Sequence, residues 1–370
     1  MQEARVERAA LATKVKEDVG LVDQWLSGSM QPTTGQFDKI AKALGRSRSF
    51  FFLPRPPATH QVPMAFRATP GGLWQDLLEA DFLAVRRARR VQRLTRWSRE
   101  RVRDAAPTLP TVSRNTSAVK AAEVLREWLG WTLERQTQAK SATAVTKDLR
   151  RTLEAHGLIA MQQALGRKGC RGFSLLDPVA PVVAVNSAYT TEARTYSYVH
   201  ELGHLVRGTE AICTGATGWA LERWCEEFAA ALLLPRPALT AYVNDLVGRD
   251  KPVTVPGQVT RVANHFKISR LATITALQQA GRADQLLWNE IKAQSDLRKK
   301  QGGGPAGDPQ TLPVIRVREW GRTPTRLLIE AADQGALSRP DLLEYLQLSS
   351  SEVDDVRRLL SSSPSADDED

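Results

Sequence analysis

Apolar residues recur at three- and four-residue spacing along most of this chain, so it reads as a succession of amphipathic helices. The first are Glu7 to Val15, and a second helix with Val19, Val22 and Trp25 facing inward. Ser27-Gly28 then turns the chain, and Pro32-Thr33-Thr34 opens a third helix buried through Phe37, Ile40, Ala41 and Leu44. Helical spacing returns from Leu73 to about Leu129, with a loop at Pro107–Ser117, and again from Ala144 to His156. Only two stretches have strand character, Leu158 to Met161 and Pro181 to Asn186. After Pro237 the pattern is helical again, with a helix pair over Val259 to Gly281 capped at Ser269 and a last group from Val314 to Leu360. A mostly helical α+β chain with one small sheet is expected.

The chemistry sits in His200-Glu201-Leu202-Gly203-His204. Two His four residues apart stack on one helical face, so both can reach one divalent cation. Glu201 lies about 100° round that helix, placed to touch a water in the cation's open position without ligating the cation. With five His in 370 residues, chance is a poor explanation. Farther on, LERWCEEFAAALLLP is an amphipathic run ended by Pro235, and it carries Glu222 and Glu226 at i and i+4. Glu222 is assigned as third ligand and Glu226 as acceptor for a ligating His N–H. Zn2+ suits such a donor set, and Mn2+ is admissible. Candidate oxyanion donors are Tyr189, Arg194, Tyr196 and His265; His265 reads more readily as a structural side chain.

These residues resemble the ImmA/IrrE metallopeptidases, relatives of the thermolysin-like gluzincins. The resemblance rests on HELGH at 200–204 and on the run from Glu222 to Pro235. The lead-in segments Arg171–Ser174, Pro181–Asn186 and Ala193–Ser197 add to it. Glu226 departs from the Asn or Asp usual in the family. The resemblance implies a thermolysin-like minimal metallopeptidase core and a substrate that is a partner DNA-binding repressor of XRE type, cut or inactivated to relieve repression of stress-response or mobile-element genes. In gluzincins an edge strand beside the metal receives the substrate, and Val182 to Asn186 is the candidate for it.

Residues 1–57 resemble an XRE-type helix-turn-helix, closed by a Phe50–Pro57 junction similar to that of XRE-fused relatives. Its reading-helix candidate carries Glu17, Asp18, Asp23 and Gln24, an acidic set that disfavours phosphate. Nine Arg fall between Arg86 and Arg103; Arg86, Arg87, Arg89, Arg90 and Arg93, with Gln24, are the candidate nucleic-acid contacts. The expected plan is the XRE-like domain at 1–57, a helical region with the Arg-rich helix at 58–140 and the metallopeptidase core at 141–240. A helical extension at 241–300, a Gly-rich linker at 301–313 and a small helical module with an acidic tail at 314–370 complete it.

Composition narrows the setting. The formal net charge is +10, with 42% hydrophobic and 25% charged residues. Three widely spaced cysteines, Cys170, Cys213 and Cys225, suggest neither a disulfide framework nor a CxxC zinc site. With no run of 18 apolar residues and no apolar leader, the chain reads as cytoplasmic and without membrane contact. Two classes of function remain: the repressor-cleaving zinc endopeptidase that the resemblance implies, or a non-proteolytic DNA-binding regulator or toxin–antitoxin component with a structural metal site. Glu201 separates them, since a structural site gains nothing from a carboxylate at its open position.

Overall fold

A computed structural model describes residues 6–44, 51–52, 65–66, 79–208, 216–300 and 310–361. Cys213, the start of the helical stretch expected from Leu73, most of the Phe50–Pro57 junction, the Gly-rich linker at 301–307 and the tail beyond 361 lie outside the described residues. No described helix is long and apolar enough to cross a membrane.

Three short helices come first: α1 (Arg8–Val15), α2 (Val19–Ser27) and α3 (Thr34–Ala43). They pack on a core of their own formed by Val6, Leu11, Val15, Val22, Ile40 and Leu44. Asp18 caps α2 by accepting from the Gly20 N–H, and Thr33 with Gln36 forms a reciprocal capping box on α3. Val19, expected inward, is exposed; α2 buries Val22 instead, with Trp25 partly covered.

The sheet is small and covered on both faces. Its strands are β1 (Ala65–Phe66), β2 (Ile159–Gln163), β3 (Gly172–Leu175) and β4 (Val182–Asn186), in the order β1-β3-β4-β2. β2 runs parallel to β4, from Ile159 opposite Val182 to Gln163 opposite Asn186, and β3 runs antiparallel on the other side of β4. Val182–Asn186 is therefore an interior strand with both neighbours paired, which corrects its assignment as the edge that receives substrate. Every residue of β2 and β4 is buried, as expected of strands packed on two faces.

Period two then divides the strand residues between two cores. Ala160, Val183 and Val185 join α5 (Ala118–Leu129), α7 (Ala142–Ala155), α8 (Thr191–Val206) and α9 (Ala216–Leu233). α6 (Leu133–Thr137), α10 (Arg236–Val247), α11 (Pro256–Phe266), α12 (Arg270–Gln279) and α13 (Gln285–Lys300) complete that side. Ile159, Met161, Val182 and Ala184 point the other way. They meet the Arg-rich helix α4 (Glu79–Val102) together with α14 (Leu312–Trp320), α15 (Arg322–Asp333), α16 (Arg339–Leu346) and α17 (Ser350–Ser361). The last four helices, whose periodicity alone suggests a module of their own, thus share a core with the sheet.

α4 reaches this position by burying Ala84, Val85, Ala88 and Val91, while its arginines serve the surrounding backbone. Arg99 is 2% exposed. It donates to Gly157 O at 2.9 Å, to Val179 O, and to Asp104 Oδ2 at 3.1 Å. Replacing it strands two buried carbonyls and a carboxylate. Arg99→Met is expected to cost about 3 kcal/mol in urea unfolding, whereas Arg87→Gln, on the exposed side of the same helix, should stay within about 0.5 kcal/mol. Equal losses would contradict this division of α4.

Candidate metal centre

Thr190 opens α8 by accepting from the Ala193 N–H, and the helix is almost continuously buried from Ser197 to Val206. Its four-residue period brings His200 and His204 together with ring centroids 5.0 Å apart and Nε2 atoms 3.3 Å apart. Glu222 arrives from α9, with Oε2 3.2 Å from His200 Nε2 and Oε1 3.4 Å from His204 Nε2. The two imidazoles and the carboxylate thus stand 3.2–3.4 Å apart in a triangle, each imidazole facing a different carboxylate oxygen. In a tetrahedral site with bonds of about 2.0–2.1 Å, ligand atoms stand roughly 3.3 Å apart, so the triangle has the dimensions a divalent cation requires. Among the described residues, His200, His204 and Glu222 are a group that could hold a metal ion. Both His are buried, whereas the Glu222 side chain is 26% exposed, so solvent reaches the triangle from the carboxylate side.

The triangle closes because α8 and α9 touch. A Cβ built on Gly203 would lie 3.0 Å from Phe228 Cδ1 and 3.3 Å from Cys225 Sγ, so any side chain here would crowd α9. Glu222 lies less than a turn before Cys225, so the same contact sets its reach. Beneath α8, Tyr198 is wholly buried and donates to Met161 O of β2 at 3.1 Å. Burial pushes that phenol up to about 12, which keeps it a donor. The Thr146 and Thr195 hydroxyls meet at 2.5 Å and join α7 to α8. At the far end, Val206 O accepts from the Val112 N–H at 3.0 Å and Arg207 Nη1 donates to Ser113 O at 2.6 Å. The loop before α5 thereby fastens the end of the His-bearing helix.

Glu201 is fully buried and lies against β3. A Cβ on Gly172 would fall 3.1 Å from Glu201 Oε1 and 2.9 Å from Ala184 O. Gly172 therefore makes the space in which this carboxylate rests. Neither Gly172 nor Gly203 was assigned a role from sequence. The available signal was a glycine inside a strand and another inside a helix, each marking close approach.

Other expected participants are placed elsewhere. Glu226 is exposed, and what α9 offers at that position is its main-chain carbonyl, which accepts from Tyr196 Oη at 3.1 Å. This corrects its assignment as acceptor for a His ligand. α9 turns Cys225, Phe228, Ala229 and Leu232 inward, which leaves Glu226 on the solvent side. Tyr196 lies one turn before His200 on the same face. Tyr189 donates instead to Arg167 O and Gly169 O at 3.3 and 3.4 Å. Arg194 reaches Gln162 Oε1 and Thr191 Oγ1 at the opposite end of α8. His265 is stacked on Tyr242 at 4.0 Å in α11, a structural position.

The cationic candidates of α4 lie on the side of the helix away from its buried stripe, and three of them have partners within the chain. Arg86 donates to Leu44 O at 2.9 Å, Arg89 to Gln92 at 3.1 Å, and Arg90 lies over the Tyr345 ring. Arg87 and Arg93 are exposed on α4, and Gln24 is exposed on α2.

Residues 153–277 match the family model described as the IrrE N-terminal-like domain of Peptidase M78. The matched span contains the sheet strands β2 to β4 and all of His200, Glu201, His204 and Glu222. The match supports the ImmA/IrrE resemblance and a metallopeptidase type of function. A comparison with curated proteins gave no match to the chain.

Metal content tests the triangle. Glu222→Ala, at a partly exposed corner, should fold and lose the bound ion, whereas Glu201→Gln should keep about one equivalent. With metal at a thousandfold its Kd, chelation should cost the wild type about 4 kcal/mol of stability and leave Glu222→Ala unchanged. Full metal retention by Glu222→Ala would remove Glu222 from the ligand set.

Proposed function

We propose that the chain is a zinc-dependent, site-specific endopeptidase that cuts a partner DNA-binding repressor of XRE type. The observation that carries the peptidase reading is the pairing of the His200–His204–Glu222 triangle with the buried Glu201 on the same helix. Zinc suits two imidazoles and one carboxylate, and Mn2+ would also be accepted. When bound, the cation supplies Lewis acidity toward water and toward the scissile carbonyl.

What the protein adds is placement of a proton acceptor. Glu201 accepts a proton from the attacking water through its carboxylate and returns it to the departing amide nitrogen. Its wall of β3 and α8 limits water around the carboxylate, which strengthens its electrostatic interactions. Tyr196 shares a helix face with His200, and its hydroxyl would have to leave Glu226 O to serve as donor to the developing oxyanion.

The substrate class follows from the ImmA/IrrE resemblance, and the N-terminal helices support a docking role for residues 1–57. On α2, Asp18 is used as a cap and Asp23 pairs with Arg8 at 3.1 Å. A helix face with this acidic character fits a protein partner better than a phosphate backbone.

Co-incubation of the metal-loaded chain with the XRE-type regulator encoded beside it tests the proposal. A discrete cut is expected with wild type, slowed on the order of 10²–10⁴-fold in Glu201→Gln. An intact regulator in both reactions would favour the non-proteolytic regulator.

A further inference from the structure

A cavity of about 400 Å3 lies away from the metal triangle, where α7, the first turn of α8 and α14 meet. Six cations line it, Lys147, Arg150, Arg151, Arg194, Arg318 and Arg322, against one carboxylate, Glu154. Part of this charge is tied down. Arg150 donates to Ala160 O, Val317 O and Arg318 O at 2.9–3.0 Å. Arg322 donates through its side chain to Leu359 O and Leu360 O, and its N–H reaches Glu154 Oε1 at 2.7 Å. These contacts satisfy donors but neutralise little charge.

Arg194 of α8 and Arg318 of α14 both line the cavity. Their terminal groups donate only to neutral side chains, Arg194 to Gln162 and Thr191 and Arg318 to Gln310, and the Nε of each is buried and has no hydrogen-bond partner. Burial first, then the charges of Arg318 and Arg150, lower the Arg194 pKa, opposed by Tyr198 and Glu192. Like charges gathered in a half-buried cavity cost free energy unless an anion joins them. Guanidinium forks match phosphoryl oxygens in geometry as well as charge. The volume lies in the range of small-molecule sites, and walls from three helices make a recess rather than a surface for a duplex.

We propose that this cavity binds a small polyanion carrying two or more phosphoryl groups, held between Arg194 of α8 and Arg318 of α14. One phosphoryl group would leave most of the excess positive charge uncompensated. A bound polyanion would join the C-terminal helices to the beginning of the His-bearing helix. Arg194 precedes His200 by six residues, about 9 Å along the axis. Binding itself does not depend on what the metal centre does.

Titration calorimetry and thermal melts of the full chain test the site, with pyrophosphate, ATP and sodium sulfate at matched ionic strength. Saturable binding of pyrophosphate or ATP is expected, weakened at least tenfold in Arg318→Gln and in Lys147→Gln, with a raised Tm in wild type. Lys147→Gln, at a half-buried lining residue, covers the case in which Arg318→Gln does not fold. Equal affinity for the two phosphates would mark the phosphoryl groups as the whole determinant; tighter ATP would add a nucleoside contact, and both support the site. The proposal is overturned by no saturation below millimolar ligand or by affinity unchanged in the variants. It is equally overturned by a shift that sulfate reproduces, which would mean an adventitious ion only, or by oligonucleotide binding that pyrophosphate cannot displace.

Discussion

The close crossing of α8 and α9 at Gly203 is the constraint on which the metal centre depends. Two of the three donors come from one helix and hold their spacing through its period. The third comes from another helix, and no local rule holds it there. Phe228 and Cys225 press onto α8 where residue 203 lacks a side chain, with 3.0 and 3.3 Å available to a Cβ. A larger residue would press on Phe228 and Cys225 and, through α9, on the placement of Glu222. Helix packing, rather than a loop, therefore sets the geometry of the site, which is the arrangement that preorganises donors most firmly.

The sheet supplies the opposite wall. Its four strands do not bury enough surface to stand alone, but each face carries its own layer of helices. Glu201 projects from α8 toward β3 and is seated by Gly172, so this carboxylate is positioned by the sheet while the donor triangle is positioned by the helix pair. α4 and the four C-terminal helices cover the far face. They contribute no donor to the triangle, but they hold in place the strands against which α8 rests.

How much of this could be read beforehand follows from how local each feature is. HExxH was legible because a helix alone decides which residues share a face, and Glu222 was legible as a carboxylate heading an apolar stripe. Glu226 shared that spacing, but i and i+4 place residues on one side without saying which is at the rim and which is over solvent. The position of Val182–Asn186 was not legible, since an all-apolar strand has no alternation and its neighbours are set by distant pairings. The tasks of Arg86 and Arg99 were not legible for a related reason: they donate to carbonyls supplied by residues remote in sequence, whereas Arg87 and Arg93 of the same run stay exposed. Gly172 and Gly203 were visible as letters, and only packing gives them a purpose.

X-ray absorption at the zinc edge of the metal-loaded full chain tests the centre most directly. Two imidazole nitrogens and one carboxylate oxygen from the protein are expected, together with a light-atom ligand from solvent and no sulfur. The Glu222→Ala chain should give no such spectrum. A shell containing sulfur, or an unchanged shell in Glu222→Ala, would contradict a triangle closed by the crossing of α8 and α9.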